Sequence, residues 1–283
     1  MTTPFSLISD KASSPLILSS PHSGRRYPED FGFVCPLPML RQVEDAYVDE
    51  LIAGAAETGA AILQAEFPRS YIDVNRAEDD LDPALLAGDW PVPLQPSERT
   101  RQGLGLVRRL CKGGVPMYAA PLPVAEVQKR LDEYYRPYHA ALESLVAERA
   151  RLFGEVYLID CHSMPGMMGA SIAQRHADFV LGDLDGTSCD PAFTRLVQDC
   201  LQEMGYNVAL NNPYKGVEIL RRYGQPQKGR HALQIEISRR LYVNEQTLEK
   251  NDHFFKLHQD FIQIFGSIIK QLSRQSGLGL AAE

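Results

Sequence analysis

Short apolar runs alternate along this chain with longer amphipathic segments, and that alternation constrains the fold more than any other feature of the sequence. It is the pattern of βαβ units, in which a strand buried on both faces is followed by a helix that crosses back over the sheet. Strands are predicted at Leu16–Ser20, Ala61–Ala65, Tyr71–Val74, Val156–Ile159, Phe179–Gly182, Asn207–Leu210 and Ala232–Ile237. Helices are predicted over about 39–58, 124–152, 191–204 and 245–272. Val124, Val127, Leu131, Tyr134, Tyr138, Leu142 and Leu145 recur at helical spacing in the second helix, as do Leu257, Phe261, Ile264, Phe265, Ile268 and Leu272 in the last. The fold class is therefore α/β, with a mixed, mainly parallel central sheet flanked by helices.

A chain of 283 residues sits at the upper edge of what one hydrophobic core serves, so one α/β domain over 1–283 is expected, with two domains the second choice. Between Asp80 and Leu122 the periodicity fades and proline and glycine become frequent. This reads as a long irregular insertion at about 80–122, beside the site, because structureless loops of that length usually serve function. The tail from Ser276 is expected to fray.

Charge and composition exclude several classes of function. A net charge of −7 leaves no basic footprint for nucleic acid. No apolar run approaches the roughly 20 residues that cross a bilayer, and Met1–Asp10 lacks the features of an export signal, so a cytoplasmic protein with no membrane partner is expected. The five cysteines, at 35, 111, 161, 189 and 200, form no CxxC pair, and their odd number argues against a full disulfide framework. The sequence leaves the oligomeric state open.

Three segments share one design, an apolar strand that ends in polar or ligand residues. Leu16–Ser20 runs into Pro21-His22-Ser23-Gly24, Val156–Ile159 runs into Asp160-Cys161-His162-Ser163, and Ala232–Ser238 carries Glu236 within the strand. Ligands of open α/β sheets bind outside the carboxyl ends of strands, so His22 and His162 can converge there. A lone strand-end histidine is more often structural; two of them with an acidic strand residue point to a ligand site. Asp45, in Val43-Glu44-Asp45-Ala46-Tyr47, supplies a third ligand in the metal reading and compensates a helix N-terminus in the ordinary one. Two histidines and one carboxylate leave a catalytic zinc an open position for water, which then becomes a usable nucleophile. The same donors suit iron or manganese. Glu236 is the candidate general base and acid, weighed against a buried structural glutamate. Asp160 stands two residues before His162, hence on the same face of an extended strand, where it either orients the imidazole or caps the strand end.

Arginine grips carboxylates through two parallel hydrogen bonds. Arg69 and Arg76 flank Tyr71-Ile72-Asp73-Val74-Asn75, and Arg221 and Arg222 precede Tyr223-Gly224. Their clustering fits a substrate with free carboxylates, although a single surface arginine is more often solvated. A Cys161–His162 dyad fails on geometry, since adjacent strand residues face opposite ways. Gly169-Ala170-Ser171-Ile172-Ala173 is not a complete G-x-S-x-G elbow. His139, His176, His231, His253 and His258 receive no role.

The ordered blocks Pro21–Gly24, Glu44-Asp45, Phe67–Arg76, Asp160–Ser163, Asp178–Gly182 with Asp185–Pro191, Tyr214–Pro226 and Gln234–Ile237 resemble the N-formylglutamate amidohydrolase family from about residue 15 to 245. The resemblance implies a fold like that of zinc exopeptidases (phosphorylase/hydrolase-like) and one zinc per chain held by His22, Asp45 and His162. Glu44 stands beside Asp45 as a rival ligand. It further implies Glu236 as the catalytic carboxylate, with Asn75 and Arg76 on a substrate carboxylate and Arg69 and Arg221 as further substrate contacts. The implied reaction is hydrolysis of a small-molecule N-acyl amino acid, N-formyl-L-glutamate first, in amino-acid catabolism such as histidine degradation. Val217 and Glu218 depart from the family's pattern beside Arg221 and bear on which acyl amino acid is accepted.

Overall fold

A computed structural model describes residues 3–8, 12–166 and 177–275. The Gly169–Ala173 stretch, His176 and the tail from Ser276 lie outside the described residues. Nine strands are seen among them: β1 (Phe5–Ile8), β2 (Leu16–Ser20), β3 (Ala61–Ala65), β4 (Leu86–Ala87), β5 (Leu122–Pro123), β6 (Val156–Met164), β7 (Phe179–Gly182), β8 (Val208–Leu210) and β9 (Arg230–Ser238). Seven of them form one sheet in the order β1-β3-β2-β6-β9-β7-β8, while β4 and β5 pair by themselves. β2, β6 and β9 are parallel neighbours, β7 runs antiparallel to β9, and β8 is parallel to β7. The sheet is thus mixed and mainly parallel, as the alternation of apolar runs predicts.

Two compact units make up the chain. One comprises residues 7–20, 47–63 and 143–283 and is built on the sheet. Leu16, Leu18, Ile159, Leu233 and Ile235 from its central strands and Leu257, Phe261, Ile264, Phe265, Ile268 and Leu272 from the helix Phe254–Gln275 belong to one buried apolar cluster. Removing such side chains from water is the main stabilising term of a fold of this kind. The central strands β6 and β9 are buried almost throughout, and each runs further than its apolar core alone predicts.

The other unit comprises residues 1–6, 21–46 and 64–142. It is poor in strands and packs around aromatic rings. Phe31 and Tyr71 meet edge to face at 5.1 Å, Tyr71 and Tyr134 at 5.0 Å, and the buried Arg130 guanidinium lies 4.1 Å from the Tyr71 ring centre. Arg130 donates to the Tyr71 carbonyl and the Tyr118 hydroxyl, so its charge is satisfied inside the cluster. The insertion at 80–122 belongs to this unit. It carries two short helical turns, Pro83–Leu85 and Lys112–Gly114, the helix Glu98–Arg101, and the pairing of β4 with β5. Leu81, Leu106, Val107 and Met117 are wholly buried, so the insertion is irregular but packed.

Three sequence expectations need correction. Tyr71–Val74 is a turn, not a strand: its apolar alternation reflects burial, and Asp73 spends its carboxylate on the Asn75 amide as in an Asx turn. The helix predicted over 39–58 is broken into Leu37–Arg41, Val48–Ile52 and a 3₁₀ turn at Ala53–Thr58, with Asp45 in the break. The last helix begins at Phe254 and not near 245, because 244–253 forms turns stapled by Asn244 and Asn251 side chains.

Candidate active site

β2 and β6 lie side by side with Ser19 level with Asp160. The chain leaving β2 at Ser20 therefore emerges at the sheet end to which β6 carries His162. Asp45 comes from the broken helix, and its amide donates to the His22 carbonyl at 3.1 Å. His22, Asp45 and His162 are all buried, and each offers a ligand atom within 4.8 Å of the others. Glu44 turns elsewhere, hydrogen-bonded to the Tyr27 hydroxyl, with burial pushing its carboxyl up to about 7. The structure thus brings the three expected ligands together and separates Asp45 from its neighbour.

Each histidine also meets a second carboxylate. His162 Nε2 lies 2.7 Å from Asp160 Oδ2, and His22 Nε2 lies 2.6 Å from Asp73 Oδ1. A carboxylate on Nε2 holds the proton there and turns Nδ1 into a lone-pair donor, the arrangement that orients histidine ligands of metals. His22 Nδ1 then faces Asp45 Oδ2 at 3.3 Å, two acceptors in a buried site. Such a contact is relieved by a second proton on the ring or by a cation held between the two groups. Two imidazoles, each braced by a carboxylate, and one further carboxylate, all buried, fit a zinc-type ion.

The carboxylate braces are positioned differently. Asp160 accepts from the Ser19 hydroxyl at 3.0 Å across the β2–β6 pair. Asp73 sits in the turn after Arg69, accepts from Arg69 Nη2 at 2.8 Å and from the Asn75 amide at 3.0 Å, and donates its own amide to the Leu106 carbonyl. Burial alone would raise the Asp73 pKa, but Arg69, His22 and Arg76 outweigh it and hold the carboxyl well below the usual range. Gly24 fixes the approach of the His22 loop to this turn. A Cβ there would come within 2.2 Å of the Phe67 carbonyl, and the Arg26 amide donates to the Glu66 carbonyl at 2.8 Å.

Glu236 stands on β9 level with His162 on β6, and side chains paired across parallel strands share a face. It is 8% exposed and accepts from Gln234 Nε2 at 3.0 Å. Asn75 and Arg76 stand two and three residues after Asp73 and are buried; the Arg76 carbonyl accepts from the Tyr135 hydroxyl, and His139 Nε2 lies 2.9 Å from the Val74 carbonyl. Arg69 also reaches toward Asp45, at 3.9 Å. Arg221 is placed apart from this cluster in character: it lies in the helix Glu218–Tyr223, its side chain 67% exposed and paired with Glu218 at 3.1 Å. Cys161 points to the other face of a strand that continues to Met164, and burial raises its thiol far above its ordinary value, so a Cys161–His162 dyad is not built. Sequence reasoning assigned Asp73 no role. Its signal was present in the two flanking arginines, which favour an anion between them once the fold brings them together.

The model of the N-formylglutamate amidohydrolase family matches residues 14–243. The N-formylglutamate deformylase of Pseudomonas putida is 32% identical over 263 residues, covering 91% of this chain and 90% of that protein. The protein of that name from Pseudomonas aeruginosa is 33% identical over 263 residues, covering 91% of each. The crystal structure of an N-formylglutamate amidohydrolase from Ralstonia eutropha JMP134 superposes with a TM-score of 0.92 at 44% identity, covering 97% of this chain and all of that one. A gene product of Agrobacterium tumefaciens, Atu2144, shares the fold at a TM-score of 0.70 and 16% identity, covering 96% and 97%. With site geometry and whole-length similarity in agreement, the chain belongs to the N-formylglutamate amidohydrolase family.

Proposed function

We propose that this chain hydrolyses N-formyl-L-glutamate to formate and L-glutamate at a single zinc ion held by His22, Asp45 and His162. The observation that carries the reading is the buried trio itself, with a carboxylate on Nε2 of each histidine, in a chain whose relatives are named for this reaction. Bound there, a zinc ion would supply Lewis acidity and make water a usable nucleophile near neutral pH. Glu236, on the strand beside His162, takes the proton of the attacking water and delivers it to the departing amide nitrogen. Asn75 and Arg76 hold a substrate carboxylate, Arg69 supports Asp73 and Asp45, and Arg221 has the more exposed place among the substrate contacts. In this reading the fold is zinc-exopeptidase-like and the protein works in the cytoplasm on a small molecule, without nucleic acid or membrane. No helix among the described residues is long and apolar enough to cross a membrane.

Release of formate and glutamate tests the reading, with metal analysis of the same sample. Glu236→Ala is expected to keep one zinc and to lose at least about a thousandfold in kcat, the scale of general acid–base catalysis. Near-normal turnover in that variant sinks the mechanism; absence of bound metal in the parent sinks the site. A second reading, another N-acyl amino acid, draws on Glu218, which is 15% exposed and engages Arg221. A panel of N-acyl amino acids separates the two.

A further inference from the structure

Arg108 lies in the middle of the irregular insertion and has no place in the reading above. The segment that carries it is pinned. The Leu106 carbonyl accepts from the Asp73 amide at 2.8 Å, and the Leu106 amide donates to the Asp80 carbonyl at 2.9 Å. Gly105 permits this approach, since a Cβ there would come within 2.8 Å of the Asp80 carbonyl. Leu106 and Val107 are wholly buried, and Arg108 is 9% exposed. Among the described residues Arg108 has no hydrogen-bond or ion-pair partner, and its Nε is buried without one. The charges that act on it belong to the site: Arg69 and Arg76 repel it, while Asp73 and Asp45 attract it.

Three other guanidiniums of the same unit are engaged. Arg130, fully buried, donates to Tyr71 and Tyr118; Arg109 holds Asp82 at 2.7 Å; Arg69 holds Asp73. A buried cation that no carboxylate contacts directly is costly, and a ligand anion in contact with it offsets that cost. Burial first, then Arg69 beside it, pulls the Arg108 pKa down to about 9, so the pocket disfavours its charge until an anion enters. Arg76 also has a buried Nε without a partner among the described residues. N-formylglutamate carries two carboxylates. Arg76, next to Asn75, takes one of them in the proposed reaction, and Arg108 is the second waiting cation.

We infer that Arg108 receives the side-chain carboxylate of the substrate and selects dicarboxylic N-acyl amino acids over neutral ones. The inference rests on the deformylase reading for its substrate class. It makes the insertion a specificity element that places one guanidinium against the Asp73 turn.

The test compares N-formyl-L-glutamate with N-formyl-L-glutamine, its near-isosteric neutral amide, on the zinc-loaded parent, Arg108→Met and Arg108→Lys. The ratio of kcat/KM for the acid to that for the amide is expected to fall ten- to hundredfold in Arg108→Met, mainly through KM, as expected when a buried site loses the group that pairs with its ligand. Arg108→Lys is expected to recover part of the ratio. A ratio within twofold of the parent's in folded Arg108→Met overturns the inference, as does an equal loss on both substrates. If Arg108→Met does not fold, Arg108→Lys decides: a ratio at least threefold below the parent's supports the assignment, and an unchanged ratio overturns it. A parent that turns over neither substrate counts against the deformylase reading alone. Calorimetry then decides Arg108: binding of L-glutamate over L-glutamine by the parent, reduced at least threefold in Arg108→Lys, supports it, and equal binding of the two overturns it.

Discussion

His162 and His22 end in the same chemical pair, an imidazole Nε2 against a carboxylate at 2.7 and 2.6 Å, but the two pairs are held in different ways. His162 and Asp160 lie on one strand, buried over all nine residues and hydrogen-bonded to neighbours on both sides. The ladder sets their geometry. His22 and Asp73 lie on two loops, and Asp73 is fixed by Arg69, the Asn75 amide and the Leu106 carbonyl. Here charge compensation replaces the ladder. The brace built into the sheet is therefore expected to tolerate loss of charge better than the brace built from loops.

Asp73→Asn against Asp160→Asn is the strongest way to break that contrast. Asp73→Asn leaves Arg69 and Arg76 without their shared anion, and removing one partner of a buried ion pair costs about 3–5 kcal/mol. Asp160→Asn keeps the backbone ladder and is expected to cost zinc affinity about 10- to 100-fold, as loss of an orienting carboxylate does, with a smaller change in stability. Urea unfolding of the metal-free proteins measures the first effect and zinc titration the second. Equal losses of stability would show that the sheet does not protect its brace.

Gly24→Ala attacks the loop-held side by packing alone. Its Cβ would fall 2.2 Å from the Phe67 carbonyl, so the His22 loop must move away from the segment that leads to Arg69 and Asp73. Overpacking of this kind costs about 1–3 kcal/mol. Zinc affinity and kcat are expected to fall together, by about tenfold. A variant with parental stability and unaltered zinc binding would show that the two loops are not registered through this contact.

The same contrast explains how much of the molecule was legible in its sequence. β2, β3 and β7 fall where apolar runs meet turn residues, because a strand buried on both faces needs only local information. The Asp160–His162 pair follows from the two-residue period of a strand. The Asp73–His22 pair spans 51 residues and has no such period; it depends on loops, and on Arg69 beside Asp73, that only the folded chain brings to one place. Tyr71–Val74 imitates a strand for the same reason, since its side chains are buried by loops and not by a sheet. Arg108 sat in a stretch that shows only fading periodicity, and burial of its guanidinium is a tertiary fact.

His231 gives the smallest test and a third term for the comparison, a buried histidine of β9 with no close carboxylate brace. Its Nδ1 accepts from the Asp190 amide at 3.1 Å, it stacks on Tyr157, and a Glu155 carboxylate oxygen stands off at 3.7 Å from Nε2. Burial lowers its pKa below the ordinary value, and Glu155 opposes this only in part. The unfolded chain therefore takes up a proton at this residue before the folded chain does as pH falls. The contribution to stability is whole above about pH 6.5, the ordinary histidine value, and is lost as pH falls from there through the folded pKa. His231→Gln, which keeps an acceptor for the Asp190 amide, is expected to flatten the acid limb of stability against pH by less than about 1.4 kcal/mol per pH unit, the limit for one proton. Thermal melts of the metal-free parent and variant between about pH 8 and pH 5 read this directly. Coincident acid limbs would show that the folded protein lets His231 take its proton at the ordinary pH, and that burial in this sheet does not by itself keep an imidazole neutral.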